Sequence, residues 1–188
     1  QRLLRESLSD IEFDILIFCS KSMSQKISAF TIYERLKITR KISKDKLYKS
    51  LDSLVAKNYL HTLEKFEHPH ATKKIYLCDI SLKSALSIEK HFARLFENMV
   101  YLELVKSHIV CYYDELIEFY IPSNGEIILC MPFSDERALF KKIEQIEAFI
   151  FTHSIEKITC VTMNIEGSIS HPFSRVEMLP FDIWALGD

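Results

Sequence analysis

Within residues 43–63, SKDKLYKSLDSLVAKNYLHTL, the spacing of the apolar residues changes from that of a helix to that of a strand. Four apolar residues recur at intervals of four, three and one, which places them on one stripe of a helix: Leu47, Leu51, Leu54 and Val55. Ser43 precedes the stripe as an N-cap, because its hydroxyl can accept a hydrogen bond from a free backbone N–H. After Asn58 the pattern becomes that of a strand. The stretch therefore predicts a helix that leads directly into a strand.

Two further helices are predicted before this stretch, and a second strand after it. Ser9 and Glu12 form the pattern of a capping box, and Ser28 can cap a short second helix. Residues 74–78, KIYLC, follow a polar tip and predict the returning strand of a hairpin. Three helices followed by a hairpin favour a winged helix over residues 1–80.

The first half of the chain is basic and the second half acidic. Residues 1–77 hold 15 Lys and Arg against 9 Asp and Glu, so the rest holds 9 against 17. Seven basic residues crowd the second helix, the turn and the third helix, where a helix-turn-helix meets phosphates: Arg35, Lys37, Arg40, Lys41, Lys44, Lys46 and Lys49. A solvated lysine-rich face, or a surface for a protein partner, remains the alternative.

The second half predicts a small α/β domain over residues 81–188. A helix is expected from about residue 88 to 107, then β-like runs at residues 108–113, 116–121 and 126–131. Asn124-Gly125 predicts an antiparallel hairpin between the last two runs. A helix over residues 134–151 should cross over to a strand at residues 157–163, and residues 168–185 should form an extended segment ending in a short helix.

Composition favours a cytoplasmic protein outside the membrane. The 188 residues are 48% hydrophobic, and their apolar runs are too short to cross a bilayer. The 5 cysteines are odd in number and scattered, which is typical of reduced thiols.

Four segments together resemble the C-terminal region of a prokaryotic family of AAA-type ATP-binding proteins. Residues 74–82 (KIYLCDISL) follow the winged helix, and residues 96–104 (FENMVYLEL) resemble the family's E-N-x-V-x-x-E-L helix. Residues 116–119 (LIEF) correspond to its E-V-D-F strand, and residues 176–186 (VEMLPFDIWAL) to its I-P-x-x-x-W-L-L ending. The resemblance implies an ATPase module upstream in the same chain. ATP and Mg²⁺ are expected only there, because the glycines at 125, 167 and 187 cannot form a phosphate-binding loop.

The same resemblance implies that the second domain has a restriction-endonuclease-like fold with a degenerate metal site. Glu97 matches the family's helix glutamate, and Glu118 replaces its aspartate. Glu103 is a third candidate site residue, because it is a carboxylate within the apolar stripe of its helix. Residues 127–131 offer neither the carboxylate nor the lysine that the next strand should supply.

The expected function is therefore that of a non-catalytic interaction module of an ATPase. The partners considered are the upstream module, DNA or a protein at the winged helix, and a second copy of the chain. No cofactor or metal is expected in these 188 residues. The alternative is a metal-dependent nuclease with a rearranged active site.

Overall fold

The computed structural model describes residues 2–89 and 91–187 and has a mixed α+β fold. Two compact units are distinguished. The first comprises the described parts of Gln1–Glu64 and His70–Asn98, and the second those of Lys65–Pro69 and Met99–Asp188. The boundary expected between residues 80 and 81 falls inside the first of these units.

The first unit contains helices packed beside a three-stranded antiparallel sheet. Its sheet has the order β1-β3-β2. The elements are α1 (Arg2–Ser7), α2 (Asp10–Lys21), β1 (Gln25–Ile27), α3 (Ala29–Lys37), α4 (Lys44–Ala56), β2 (Leu60–Leu63), β3 (Lys73–Leu77), α5 (Ser81–Leu86) and the first part of α6 (Phe92–Lys106).

The predicted starts of α2, α3 and α4 are confirmed by their caps. The hydroxyls of Ser9, Ser28 and Ser43 each accept a hydrogen bond from a backbone N–H three residues later. The stripe of α4 places Leu47 and Leu54 in the core without solvent exposure. Local cap chemistry and apolar spacing thus determine where these helices lie.

Three elements of the first unit, α1, β1 and α5, were not expected from the sequence, and one helix begins later than expected. Strand β1 has only three residues, too few to show an alternation, and is defined by pairing with β3. Helix α5 has six residues and no side-chain cap. The helix expected from residue 88 begins at Phe92, and Ile88 is 98% exposed. With no apolar packing at Ile88, the additional turn would have little to stabilise it.

The second unit is built on a five-stranded sheet of order β4-β5-β6-β8-β7. Strands β5, β6 and β8 are parallel, whereas β4 and β7 run antiparallel to their neighbours. After the second part of α6, its elements are β4 (Phe119–Ile121), β5 (Glu126–Cys130), α7 (Glu136–Thr152), β6 (Lys157–Thr162), β7 (Gly167–Ile169), β8 (Arg175–Pro180) and α8 (Phe181–Leu186).

The connections predicted around β5 are confirmed. A 3-10 turn over Pro122–Asn124 and Gly125 at φ 58° join β4 to β5, and a side chain at that φ would be strained. Helix α7 connects β5 to the parallel β6, as a crossover requires. One face of the sheet packs on α7 through alternate strand residues, among them Ile127, Leu129 and Ile158.

The strand expected at residues 108–113 is absent from the described structure, and the next begins later than expected. Tyr112 and Tyr113 form only isolated bridges, and Val110 is 68% exposed. Asp114 and Ile117 exchange backbone hydrogen bonds in a turn, so β4 begins only at Phe119. The pairing of this run with β4 is limited to the bridge between Tyr112 and Tyr120, so no ladder forms.

No helix among the described residues is both long and apolar enough to cross a membrane.

Candidate functional site

The seven basic residues predicted as a contact surface all lie on consecutive elements of the first unit. They occupy the last turn of α3, the following turn and the first half of α4, and all seven are exposed. We call residues 35–49 the basic segment. Its only acidic residue is Asp45. The segment is therefore a continuous, positively charged part of the surface.

Aromatic rings lie beneath two of these cations. The Nζ of Lys44 is 5.3 Å from the ring centroid of Phe30 and 5.7 Å from that of Tyr33. The Nζ of Lys37 is 5.5 Å from the Tyr33 centroid. Such cation–π contacts hold an ammonium in place while leaving its outer side hydrated.

Arg40 differs from the other six cations because two carboxylates engage it. Its Nε donates to Asp14 Oδ2, and its Nη1 lies 3.4 Å from Asp10 Oδ2. These contacts join the turn after α3 to α2. The positive charge that Arg40 offers to a ligand is correspondingly reduced.

Among the described residues, the three candidate glutamates belong to no group of three or more His, Cys, Asp or Glu side chains that could hold a metal ion. Glu97, in the first unit, accepts hydrogen bonds from Lys74 Nζ at 2.8 Å and from Tyr76 Oη at 2.7 Å. In the second unit, Glu103 pairs with Lys106 at 3.0 Å. Each of these two carboxylates is thus paired with a nearby lysine.

Glu118 lies on the α7 side of the second unit. Its Oε1 is 3.6 Å from Lys142 Nζ of α7. Burial and, to a lesser extent, the Glu118 charge raise the pKa of the Cys160 thiol to about 12. Glu103, in contrast, lines a cavity on the other face of the sheet, so these two glutamates are separated by the sheet itself.

A charged cluster that was not predicted from the sequence lies on the face of the sheet opposite α7. Glu126, Lys157 and Arg175 are the first residues of the three parallel strands and lie side by side in register. The Nζ of Lys157 is 3.3 Å from Glu126 Oε1 and 2.9 Å from Glu177 Oε1. Arg175 Nη2 lies 2.9 Å from Glu177 Oε2. We call these four residues the charged row.

The carboxylates of the charged row hold Lys157 in its protonated form. Burial alone would lower the pKa of Lys157, but the hydrogen bond from Lys157 to Glu177 and the nearby charge of Glu126 outweigh it. The pKa of Lys157 is therefore raised above its ordinary value.

The three parallel strands share a sequence pattern at their first two residues that could have indicated the charged row. Each of the three strands begins with a charged residue followed by an apolar one: Glu126-Ile127, Lys157-Ile158 and Arg175-Val176. Polar residues at alternate positions indicate a face that does not pack in the core. Residues 127–131 contain neither a carboxylate nor a lysine, but β5 begins at Glu126, as expected, and Lys157 of β6 lies beside it.

The charged row does not fit a hard divalent cation. Mg²⁺ needs several oxygen ligands that converge on one point. Lys157 Nζ lies between Glu126 and Glu177, where such an ion would have to bind. Within residues 2–89 and 91–187, no three His, Cys, Asp or Glu side chains form a group that could hold a metal.

The cavity above the charged row has a volume of about 650 Å³. The sheet forms its floor, and α6 and α8 form its walls, with Glu103 on one side and Trp184 on the other. Besides the charged row, the lining consists of mostly apolar residues together with Glu103 and Ser107. Comparison of the chain with protein-family models, with curated proteins and with solved structures found no match.

Proposed function

We propose that the chain is a non-catalytic interaction module whose first unit is a winged helix that binds nucleic acid through the basic segment. The order α2-β1-α3-α4-β2-β3, with an antiparallel hairpin after the third of these helices, supports that fold. The sequence resemblance described above supports a role beside an AAA-type ATPase module of the same chain. The second unit, proposed to be nuclease-like, would then provide a scaffold.

The observation that carries this proposal is the exposure of the basic segment on consecutive helical elements. In a helix-turn-helix arrangement, these elements approach the phosphates of a duplex. Within residues 2–89 and 91–187, the six cations other than Arg40 form only the surface pair of Lys37 and Glu34 at 3.8 Å and the ring contacts already described. Such cations can bind phosphates and release counterions, which is the main source of non-specific affinity.

The outer face of α4 favours binding to the backbone of nucleic acid over reading of its bases. Asp45, Lys49 and Asp52 follow one another at intervals of four and three and are exposed. Two carboxylates on the face that would enter a major groove would repel phosphates on both sides. We therefore expect binding with little sequence preference and a strong dependence on salt.

Replacing Lys46 and Lys49 by glutamate is expected to weaken binding to a labelled DNA duplex about ten-fold or more. Two attractive charges become repulsive, and phosphate contacts dominate such affinities. Raising the salt concentration from about 50 to about 200 mM should weaken the binding of DNA by the unsubstituted protein by orders of magnitude. Fluorescence anisotropy of the duplex measures both effects.

The double variant should fold, which makes its binding result interpretable. Lys46→Glu places a glutamate three residues after the N-cap Ser43 and so completes a capping box. The matched control is Arg137→Glu with Lys141→Glu, the same change of charge on exposed residues of α7. Equal loss of affinity in both double variants, or no binding at low salt, would contradict the proposed surface.

The alternative function, a metal-dependent nuclease, is tested on the second unit. Because Lys157 and Arg175 already neutralise Glu126 and Glu177, we expect no cleavage of single- or double-stranded DNA with Mg²⁺ or Mn²⁺. Gel electrophoresis of labelled DNA substrates measures the cleavage. Metal-dependent cleavage that disappears in Glu118→Ala or Glu126→Gln variants would establish the nuclease instead.

A further inference from the structure

The two cations of the charged row keep hydrogen-bond donors that the neighbouring carboxylates do not use. Glu126 Oε1 accepts from Thr159 Oγ1 at 2.8 Å and is 3.3 Å from Lys157 Nζ, and its Oε2 accepts from Asn124 Nδ2 at 3.2 Å. Both oxygens of Glu177 are engaged by Lys157 and Arg175, each at 2.9 Å. An ammonium carries three N–H donors and a guanidinium five, so both cations retain donors for a ligand.

The part of the charged row that is exposed to a ligand is mainly positively charged. The side chains of Lys157 and Arg175 are 39% and 78% exposed, whereas those of Glu126 and Glu177 are 13% and 11% exposed. The carboxylates thus lie beneath and orient the cations. A ligand entering the cavity would contact positive charge and N–H donors at the charged row.

The rest of the cavity is suited to an apolar group. Trp184 and Ile183 of α8 line one side, and Ile128 and Leu179 of the sheet line the floor. A volume of about 650 Å³ is in the range of small-molecule sites. The cavity therefore combines the donors of the charged row with apolar side chains of α8 and of the sheet.

We propose that this cavity binds a small organic anion, with its carboxylate or phosphate head on Lys157 and Arg175 and its apolar body against Trp184. The proposal concerns the second unit alone and does not rest on nucleic-acid binding by the first. Glu103 on the cavity wall opposes an anion, and its surface pair with Lys106 screens it only weakly. Glu103 would therefore limit the affinity.

Three probes with the same phenyl group test the proposal: phenyl phosphate, phenylacetate and benzylamine. We expect at least one of the two anions to bind with a dissociation constant on the order of 1 mM, and the amine not to bind. The stronger of the two anions identifies the head group. Trp184 is the only tryptophan of the chain, so its fluorescence reports on this cavity, and ligand-observed NMR gives a second readout.

Variants locate the site. Arg175→Gln should weaken binding of the anion about ten-fold, because it removes a charge-assisted hydrogen bond from an exposed side chain. Glu103→Gln should strengthen it about two- to three-fold, and the exposed Lys141→Gln should leave it unchanged. Binding of benzylamine alone, binding of no probe by either readout, or an affinity insensitive to Arg175→Gln would overturn the proposal.

Discussion

Replacing Asn98 by alanine is expected to lower the free energy of unfolding by about 3 kcal/mol. Asn98 is fully buried, and its amide satisfies both backbone groups of Leu77, the last residue of β3. Leu77 N donates to Asn98 Oδ1 at 2.9 Å, and Asn98 Nδ2 donates to Leu77 O at 3.0 Å. Alanine would leave a buried N–H and a buried C=O without these partners, and each loss costs about 1–3 kcal/mol.

Urea denaturation followed by circular dichroism measures this effect. Asn98→Asp should also be destabilising, since a carboxylate accepts from Leu77 N but cannot donate to Leu77 O. The control is Asn164→Ala, because Asn164 is exposed and should tolerate the change. A loss below about 1 kcal/mol in Asn98→Ala would show that water or a shift of the chain replaces the amide.

Replacing Glu12 by alanine is expected to destabilise the protein by about 2–3 kcal/mol. Its buried carboxylate accepts hydrogen bonds from Ser9 N at 2.7 Å, Ser53 Oγ at 2.6 Å and Lys57 Nζ at 2.7 Å. It thus completes the capping box of α2 and joins α2 to the end of α4. Three contacts are lost together in the variant.

The same contacts predict a dependence of stability on pH. Burial alone would raise the pKa of Glu12, but the hydrogen bonds from Lys57, Ser53 and Ser9 outweigh it and lower the pKa to about 2 from 4.5. Because the pKa is lowered in the folded state, the stabilisation is complete above pH 4.5 and is lost as the pH falls toward 2. Glu12→Gln should flatten the pH dependence in this window. The exposed Glu6, changed to Gln, should not, and equal curves for both variants would contradict the assignment.

Local chemistry explains what the sequence predicted well. The caps at Ser9, Ser28 and Ser43 need only residues three positions away. The turn at Gly125 depends on one positive φ, and the crossover through α7 on a long apolar stripe. Such features are encoded within a few turns of chain, so they can be recognised before any tertiary contact is known.

Features set by strand register were not predictable in the same way. Glu126 and Lys157 become neighbours only because β5 and β6 pair in one register, and Arg175 joins them only through β8. A shift of any one of these strands by one residue would have moved its charged residue to the α7 face. Likewise, Glu97 was expected as a site residue from motif similarity, but in the structure it bonds to Lys74 and Tyr76 of β3. Its neighbour Asn98 completes that attachment.

The strand order of the second unit bears on how the chain behaves at high concentration. The edges of the sheet are β4 and β7, with three residues each, whereas the parallel strands between them have five or six. Long exposed edges recruit strands of other molecules and lead to aggregation, and short edges offer few backbone groups for such recruitment. The apolar parallel strands are thereby protected from edge-to-edge pairing. A second copy that associates with the second unit is therefore expected to do so through side-chain surfaces and not by extending this sheet.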